Sequence, residues 1–362
     1  MQIGVDSFVA TAQSGPKGDV SRVQELLEQI ALADQVGLDV FGIGEHHRSD
    51  YVASAPIVLL AAAAARTKKI RLASAVTVLS SDDPVRVFQQ FATLDLISQG
   101  RAEIIVGRGS FTESYPLFGY DLDDYEELAA EKLELLLKLR EQTNVTWSGK
   151  HRAPLTGQGV YPRPWQPSLP VWIGVGGTPA SAQRAGRLGL PLMIAIIGGQ
   201  AKAFRPFADL YREAGREAGH GPDKLTVGIH AIGFLADTTA EAQEIFWPAY
   251  RDAFGKIGRE RGWPPPTRPQ FDAVSSPTGA LAVGDPEAVA AKILAEHEAL
   301  CGISRKTILL DNRVLTHRQL MRAIELLGTK VAPLVRQATV GRVATGGDLP
   351  RRPNPAELKA GG

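Results

Sequence analysis

The chain has 362 residues, 40 basic and 39 acidic side chains, and a formal charge of +1. That balance excludes the broad basic face of an electrostatic nucleic-acid binder but leaves room for a local cationic site that holds one phosphate. The single cysteine, Cys301, excludes an intramolecular disulfide and a cysteine-built metal cage, so no metal site is expected. No run approaches the ~20 apolar residues of a membrane span. Residues 1–15 lack the basic start and apolar centre of a secretory signal. With so little cysteine, the expectation is a cytoplasmic protein without membrane partners.

Along the chain one theme repeats: a short apolar run, a helical pattern, another apolar run. Residues 3–9 read as the first strand. Residues 20–36 follow as a helix, with Val23, Leu26, Leu27 and Ile30 at helical spacing. Residues 39–44 are the second strand and 55–66 its helix, with Pro56 in the first turn. Residues 70–79 form a third strand, 84–97 a helix, 102–107 a fourth strand and 124–140 a long charged helix. Residues 144–170, rich in Pro, Gly and aromatics, interrupt the alternation. It resumes with strands at 171–175, 190–197 and 226–235 and helices at 178–187, 201–219 and 241–254. A second, Pro-rich excursion covers 255–283. Then come a helix at 286–300, an eighth strand at 306–310 and a last helix at 317–334.

Eight strands alternating with helices predict an α/β fold, a (β/α)8 TIM barrel with excursions after the fourth and seventh units; an open doubly wound sheet is the alternative. Residues 1–338 are expected to form one domain. Residues 339–362, rich in Gly, Pro and Arg, are expected to form a flexible tail.

In such a barrel the chemistry lies at the carboxyl ends of the strands. The second strand ends in Gly44-Glu45-His46-His47-Arg48. An imidazole moves protons near neutral pH, and Glu45 is expected to orient it or set its charge; the run equally fits a turn cluster. The fourth strand ends in Gly107-Arg108-Gly109-Ser110, where glycines admit a close ligand and the arginine suits a phosphate. The fifth ends in Gly174-Val175-Gly176-Gly177-Thr178-Pro179-Ala180-Ser181 and runs into a helix. A glycine-rich loop that opens a helix offers unpaired N–H groups to an anion. The third strand end, Ala75 to Leu79, carries no reactive group and reads as a small, flat wall beside a planar ligand. An apolar wall, a proton-transfer residue, an arginine and a phosphate cradle together suit a phosphorylated aromatic cofactor. There is no paired-carboxylate or nucleophile–base pattern, and no dinucleotide fingerprint.

The ordered set Ala33-Asp34-Gln35-Val36-Gly37-Leu38-Asp39, Glu45-His46-His47, Ala73 to Leu79, Asp83-Pro84-Val85-Arg86, Leu94 to Arg101, Val106 to Gly109, Leu117-Phe118-Gly119-Tyr120 and Pro170 to Gly174 resembles the bacterial luciferase-like monooxygenase family. The resemblance covers most of residues 3–336 and is densest before residue 139. It implies reduced FMN, or in one branch a deazaflavin, at the carboxyl-end face of the barrel. His46 matches the family's catalytic histidine. Ala75 and Val76 match a non-prolyl cis peptide beneath the flavin ring. Arg108, Gly177, Thr178 and Ser181 match phosphate-binding positions, and Gly176 lies in the same loop. Light-emitting members carry a cysteine where this chain has Gly107, so light emission is not expected. The implied activity is a monooxygenase that uses dioxygen and reduced FMN from a separate flavin reductase on a small organic substrate. The implied assembly is a homodimer. The alternatives are deazaflavin-dependent hydride transfer and flavin binding without catalysis.

Overall fold

The computed structural model describes residues 1–12, 15–109 and 111–340. Ser110 and the tail beyond Val340 lie outside the described residues. In chain order the elements are β1 (Gln2–Ser7), α1 (Pro16–Gln35), β2 (Val40–Ile43), α2 (Pro56–Ala64), β3 (Arg71–Ser74), β4 (Thr77–Val78), α3 (Pro84–Ser98), β5 (Ala102–Gly107), α4 (Ser114–Phe118), α5 (Tyr125–Glu141), β6 (Asn144–Trp147) and β7 (Leu155–Gly159). There follow β8 (Val171–Val175), α6 (Pro179–Arg187), β9 (Leu192–Ile196), α7 (Arg205–Glu217), β10 (Val227–Leu235), α8 (Thr239–Arg261), α9 (Arg268–Val274), β11 (Ala282–Gly284), α10 (Pro286–Ala299), β12 (Arg305–Leu309), α11 (His317–Leu326) and α12 (Ala332–Thr339).

The parallel order β10-β12-β1-β2-β3-β5-β8-β9, closed by pairing of β9 with β10, makes an eight-stranded (β/α)8 barrel. Its strands are near-continuous apolar runs, because helices cover the outside and side chains fill the inside. Outside the strands one large apolar cluster joins barrel to helices. Inside, Val40, Ala73, Ile105, Trp172 and Met193 pack together, above a buried ion pair of Arg305 with Glu103 at 2.9 Å. β6 and β7 form a separate antiparallel hairpin. Among the described residues no helix is long and apolar enough to cross a membrane.

Three departures from the sequence reading have local causes. The first strand stops at Ser7 rather than at residue 9, because Asp311 accepts hydrogen bonds from the backbone N–H groups of Phe8 and Ala10, each 2.9 Å, and Val9 turns to φ 55°. The third strand is split: a cis peptide joins Ala75 to Val76, so β3 pairs with β2 and β5 while β4 re-pairs with β5 one step later. Helix α8 runs to Arg261 instead of residue 254, and Gly262, at φ 70°, ends it in the left-handed conformation that glycine adopts freely.

Helix α6, which opens on the glycine-rich loop, is seated against α7 at backbone contact. A Cβ on Gly186 would lie 2.2 Å from the carbonyl oxygen of Tyr211. In an open helix Gly→Ala gains about 1 kcal/mol. Here Gly186→Ala is expected to destabilise by about 1–3 kcal/mol, because the helices must separate. Urea denaturation gives the sign, and a more stable variant would refute the packing argument.

Candidate active site

At the end of β2, Gly44 lets the chain pass where a Cβ would stand 2.5 Å from the Phe8 ring and 3.0 Å from the Ala75 carbonyl oxygen. Glu45 then folds back. Its Oε2 accepts from the Val78 backbone N–H at 3.0 Å, and its Oε1 lies 2.9 Å from His47 Nε2. Glu45 therefore serves His47 and the β4 backbone. This corrects the expectation that it orients His46.

His46 is held by other means. Its backbone N–H donates to the Ala53 carbonyl at 3.0 Å. Its ring sits among Phe8, Tyr51 and Phe111, with ring centroids 4.5, 4.6 and 5.3 Å away. The residue is 8% exposed, and Nε2 is buried with no hydrogen-bond partner. Burial lowers its pKa to about 4, helped by His47 and Arg48 and opposed by Asp311 and Asp50. At neutral pH the imidazole is uncharged and has a nitrogen free for a ligand.

An open cleft of about 440 Å³ lies over this ring, lined by His46, His47, Arg48, Tyr51, Leu117 and Phe118. Arg48 stacks on Phe111 at 4.5 Å and pairs with Glu113 at 2.8 Å and with Glu260 of α8. Lys256 of α8 pairs with Asp50 at 2.8 Å. The overlong α8 is thus tied by ions to the loop that carries His46. These long-range pairs leave no trace in the residue pattern.

On the far side of the same wall, Arg108 and Thr178 come together: Arg108 Nη2 donates to Thr178 Oγ1 at 3.0 Å, and the guanidinium lies 4.9 Å over the Tyr125 ring. Glu126 holds the other end of the guanidinium. Thr178 occupies the N-cap of α6 but makes no side-chain capping hydrogen bond; Pro179 has no N–H, and the N–H groups of Ser181 and Ala182 donate to the Thr178 carbonyl oxygen at 3.1 and 3.4 Å. Gly177 has φ +129°, and the space beyond the α-carbons of Gly176 and Gly177 is open. Ser181 lies in the first turn of that helix. The donor set and the open cradle fit a phosphate.

The segment from Ala75 to Val78 joins the two halves. A Cβ at Gly107 would meet the Val76 side chain at 2.7 Å, and one at Gly174 would meet it at 3.0 Å. These glycines admit the Val76 side chain, and a cysteine at position 107 would collide with it. Apart from this region, Asp124, Glu127 and His151 form the grouping of metal-ligand type found among the described residues. Lys150 already occupies the Glu127 carboxylate at 2.6 Å.

Against known proteins, the profile of the family described as luciferase-like monooxygenase matches residues 1–301. Uncharacterized protein y4vJ of Sinorhizobium fredii is 27% identical over 93% of this chain and 98% of its own. An F420-dependent glucose-6-phosphate dehydrogenase of Amycolatopsis mediterranei is 31% identical over 46% of this chain and 51% of its own. Among solved structures, monooxygenase RslO1 from Streptomyces bottropensis superposes with a TM-score of 0.80 at 25% identity, covering 92% of this chain and 99% of that one.

The burial of His46 has a pH signature. Its folded pKa, about 4, lies below the ordinary 6.5, so on acidification the unfolded chain binds the proton first. The stability it contributes is intact above pH 6.5 and is lost as pH falls through 4. Between pH 7.5 and pH 4 the wild type should lose about 3 kcal/mol more than His46→Gln. Equal losses in urea denaturation at the two pH values would contradict a neutral, buried His46.

Proposed function

The chain belongs to the luciferase-like monooxygenase family, and we propose that within it the protein is a monooxygenase that uses reduced FMN and dioxygen to oxidise a small organic substrate. Members of this family are oxidoreductases, some working with flavin and some with the deazaflavin F420. The observation that carries the reading is the Ala75–Val78 wall, with a neutral, unpartnered imidazole on one side and an arginine–threonine–helix cradle on the other.

Arg108, Thr178, Ser181 and the backbone at Gly176 and Gly177 would hold the cofactor phosphate, as charge-assisted donors and a helix N-terminus hold anions. Ala75 and Val76 would carry the ring. Bound reduced flavin supplies the electrons that let dioxygen oxidise the substrate. His46 Nε2 holds or takes up a proton at the reacting region, and it can do so because burial keeps it neutral. Phe8, Tyr51 and Phe111 keep water from that nitrogen. The substrate enters the cleft beside Leu117 and Phe118. A separate flavin reductase supplies the reduced cofactor. The exposed Val58, Leu96 and Ile97 on α2 and α3 serve a homodimer in the cytoplasm.

Likeness to a monooxygenase at a TM-score of 0.80 over 92% of this chain favours flavin, since reduced deazaflavin transfers hydride and does not activate dioxygen. The F420-dependent relative supports the second reading, deazaflavin-dependent hydride transfer at the same wall and cradle.

Anaerobic titration with reduced FMN and reduced F420, followed by air, separates the two. Tight FMN binding with oxygen consumption supports the monooxygenase, and selective binding of the deazaflavin replaces it with hydride transfer. Arg108→Ala should weaken reduced FMN by roughly 10- to 100-fold, the value of a charged hydrogen bond. It should leave reduced riboflavin, which has no phosphate, unaffected. Equal loss for both flavins would remove Arg108 from the phosphate site.

A further inference from the structure

Below Phe8, the barrel interior holds a second histidine that the reading above does not use. His230 lies on β10, level with Thr307 of β12 and Gly4 of β1. Asp6, two residues further along β1, reaches it. Its Oδ2 stands 2.6 Å from His230 Nδ1 and also accepts from the Thr307 hydroxyl. Asp6 and Thr307 are each 2% exposed and His230 8%. A carboxylate oxygen accepts, so Nδ1 is the nitrogen that donates to Asp6, and the tautomer this hydrogen bond favours leaves the lone pair on Nε2. Among the described residues Nε2 has no hydrogen-bond partner, and the His230 side chain is 11% exposed, so the ring reaches accessible space.

Two further observations place this group beside the wall. The second oxygen of Asp6, Oδ1, is buried without a partner. A Cβ on Gly42 would lie 2.2 Å from that oxygen and 2.8 Å from the Ala75 Cβ, so the Asp6 carboxylate and the first residue of the cis peptide crowd the same point. The Phe8 ring that packs on His46 at 4.5 Å also stacks on His230 at 6.1 Å, with planes 15° apart. An orphaned carboxylate oxygen and an oriented imidazole are costly in a barrel core unless a ligand uses them.

We infer that Asp6, Thr307 and His230 form an acceptor site at the floor of the cofactor pocket, in which His230 Nε2 takes a hydrogen bond from a ring N–H of the bound reduced flavin. The inference rests on the cofactor reading above. It adds recognition of the ring edge to recognition of the phosphate. Asp6 and Thr307 are positioning residues; they fix which nitrogen of His230 is bare.

The test uses full-length protein labelled with 15N-histidine. Before any ligand, the ring shifts of His230 should report a protonated Nδ1 and a bare Nε2. Anaerobic addition of reduced FMN should move the Nε2 resonance. Asp6→Asn removes the charge and can present its amide N–H₂ to Nδ1; the 15N spectrum of the variant shows whether the proton has moved to Nε2. It should keep its melting temperature within a few degrees and bind reduced FMN and reduced riboflavin at least tenfold more weakly, both alike. That pattern differs from Arg108→Ala, which spares riboflavin. Binding of reduced FMN with an unmoved His230 signal overturns the proposal, as does unchanged affinity in a folded Asp6→Asn whose spectrum places the proton on Nε2. The wild-type shift depends on no variant, so it decides alone if Asp6→Asn does not fold. Failure of the wild type to bind reduced FMN at all is seen before any histidine signal is read; it removes the cofactor reading and this inference with it.

Discussion

Closure of eight parallel strands into a ring constrains everything else in this molecule. Parallel pairing sends every strand's carboxyl end to one rim, and residues far apart in sequence meet there. Asp6 and Thr307, 301 residues apart, share one hydrogen bond. Arg108 and Thr178, 70 apart, share another. The ring also fixes an inside and an outside, so small side chains or none are needed wherever two strands must admit a third group. Gly42, Gly44, Gly107 and Gly174 stand at such places, and all four face Asp6, Phe8 or the Ala75–Val76 segment.

Electrostatics inside the ring is arranged by burial and by paired carboxylates in different places. His46 is surrounded by aromatic rings, and desolvation, helped by His47 and Arg48, keeps it neutral. His230, one ring away, is held by a carboxylate that decides its tautomer. Asp311 belongs to both arrangements: it pins the backbone of Phe8, pairs with Arg22 at 3.4 Å, and its charge partly offsets the desolvation of His46. The position of Phe8, and with it the separation of the two imidazoles, therefore depends on a residue at the end of the last strand.

The barrel was legible in the sequence because parallel strands covered on both faces are plain apolar runs, and the helices between them keep a clear period. The strand-end motifs were legible because glycines and charged residues interrupt those runs: His46, Arg108 and the loop from Gly174 to Ser181 stand out for that reason. Glu45 was misread because adjacency in sequence says nothing about which neighbour a folded-back side chain reaches. Asp6, His230 and Thr307 were missed because they stand on three different strands, and only barrel closure brings them together. The signal that could have raised Asp6 and His230 is their place in buried strands, since an Asp or His there needs a partner. The ties from α8 to Arg48 and Asp50 were illegible because the helix outran its pattern into a Pro-rich segment.

The cradle illustrates how a site can wait for an anion at little cost. A bare arginine beside an uncapped helix end would repel cations and leave donors unpaired. Here Glu126 covers the Arg108 guanidinium from a position where its own side chain is 62% exposed. An ion pair so open to water contributes only about 0–1 kcal/mol. A phosphate reaching the same place would bring nearly two charges, the hydroxyl of Thr178 and the N–H groups of α6 into play at once. In the proposed reading, exchange of carboxylate for phosphate would favour the ligand by more than the lost pair costs. Because Glu126 sits on the exposed side of α5, it can swing into water without disturbing the buried face of that helix.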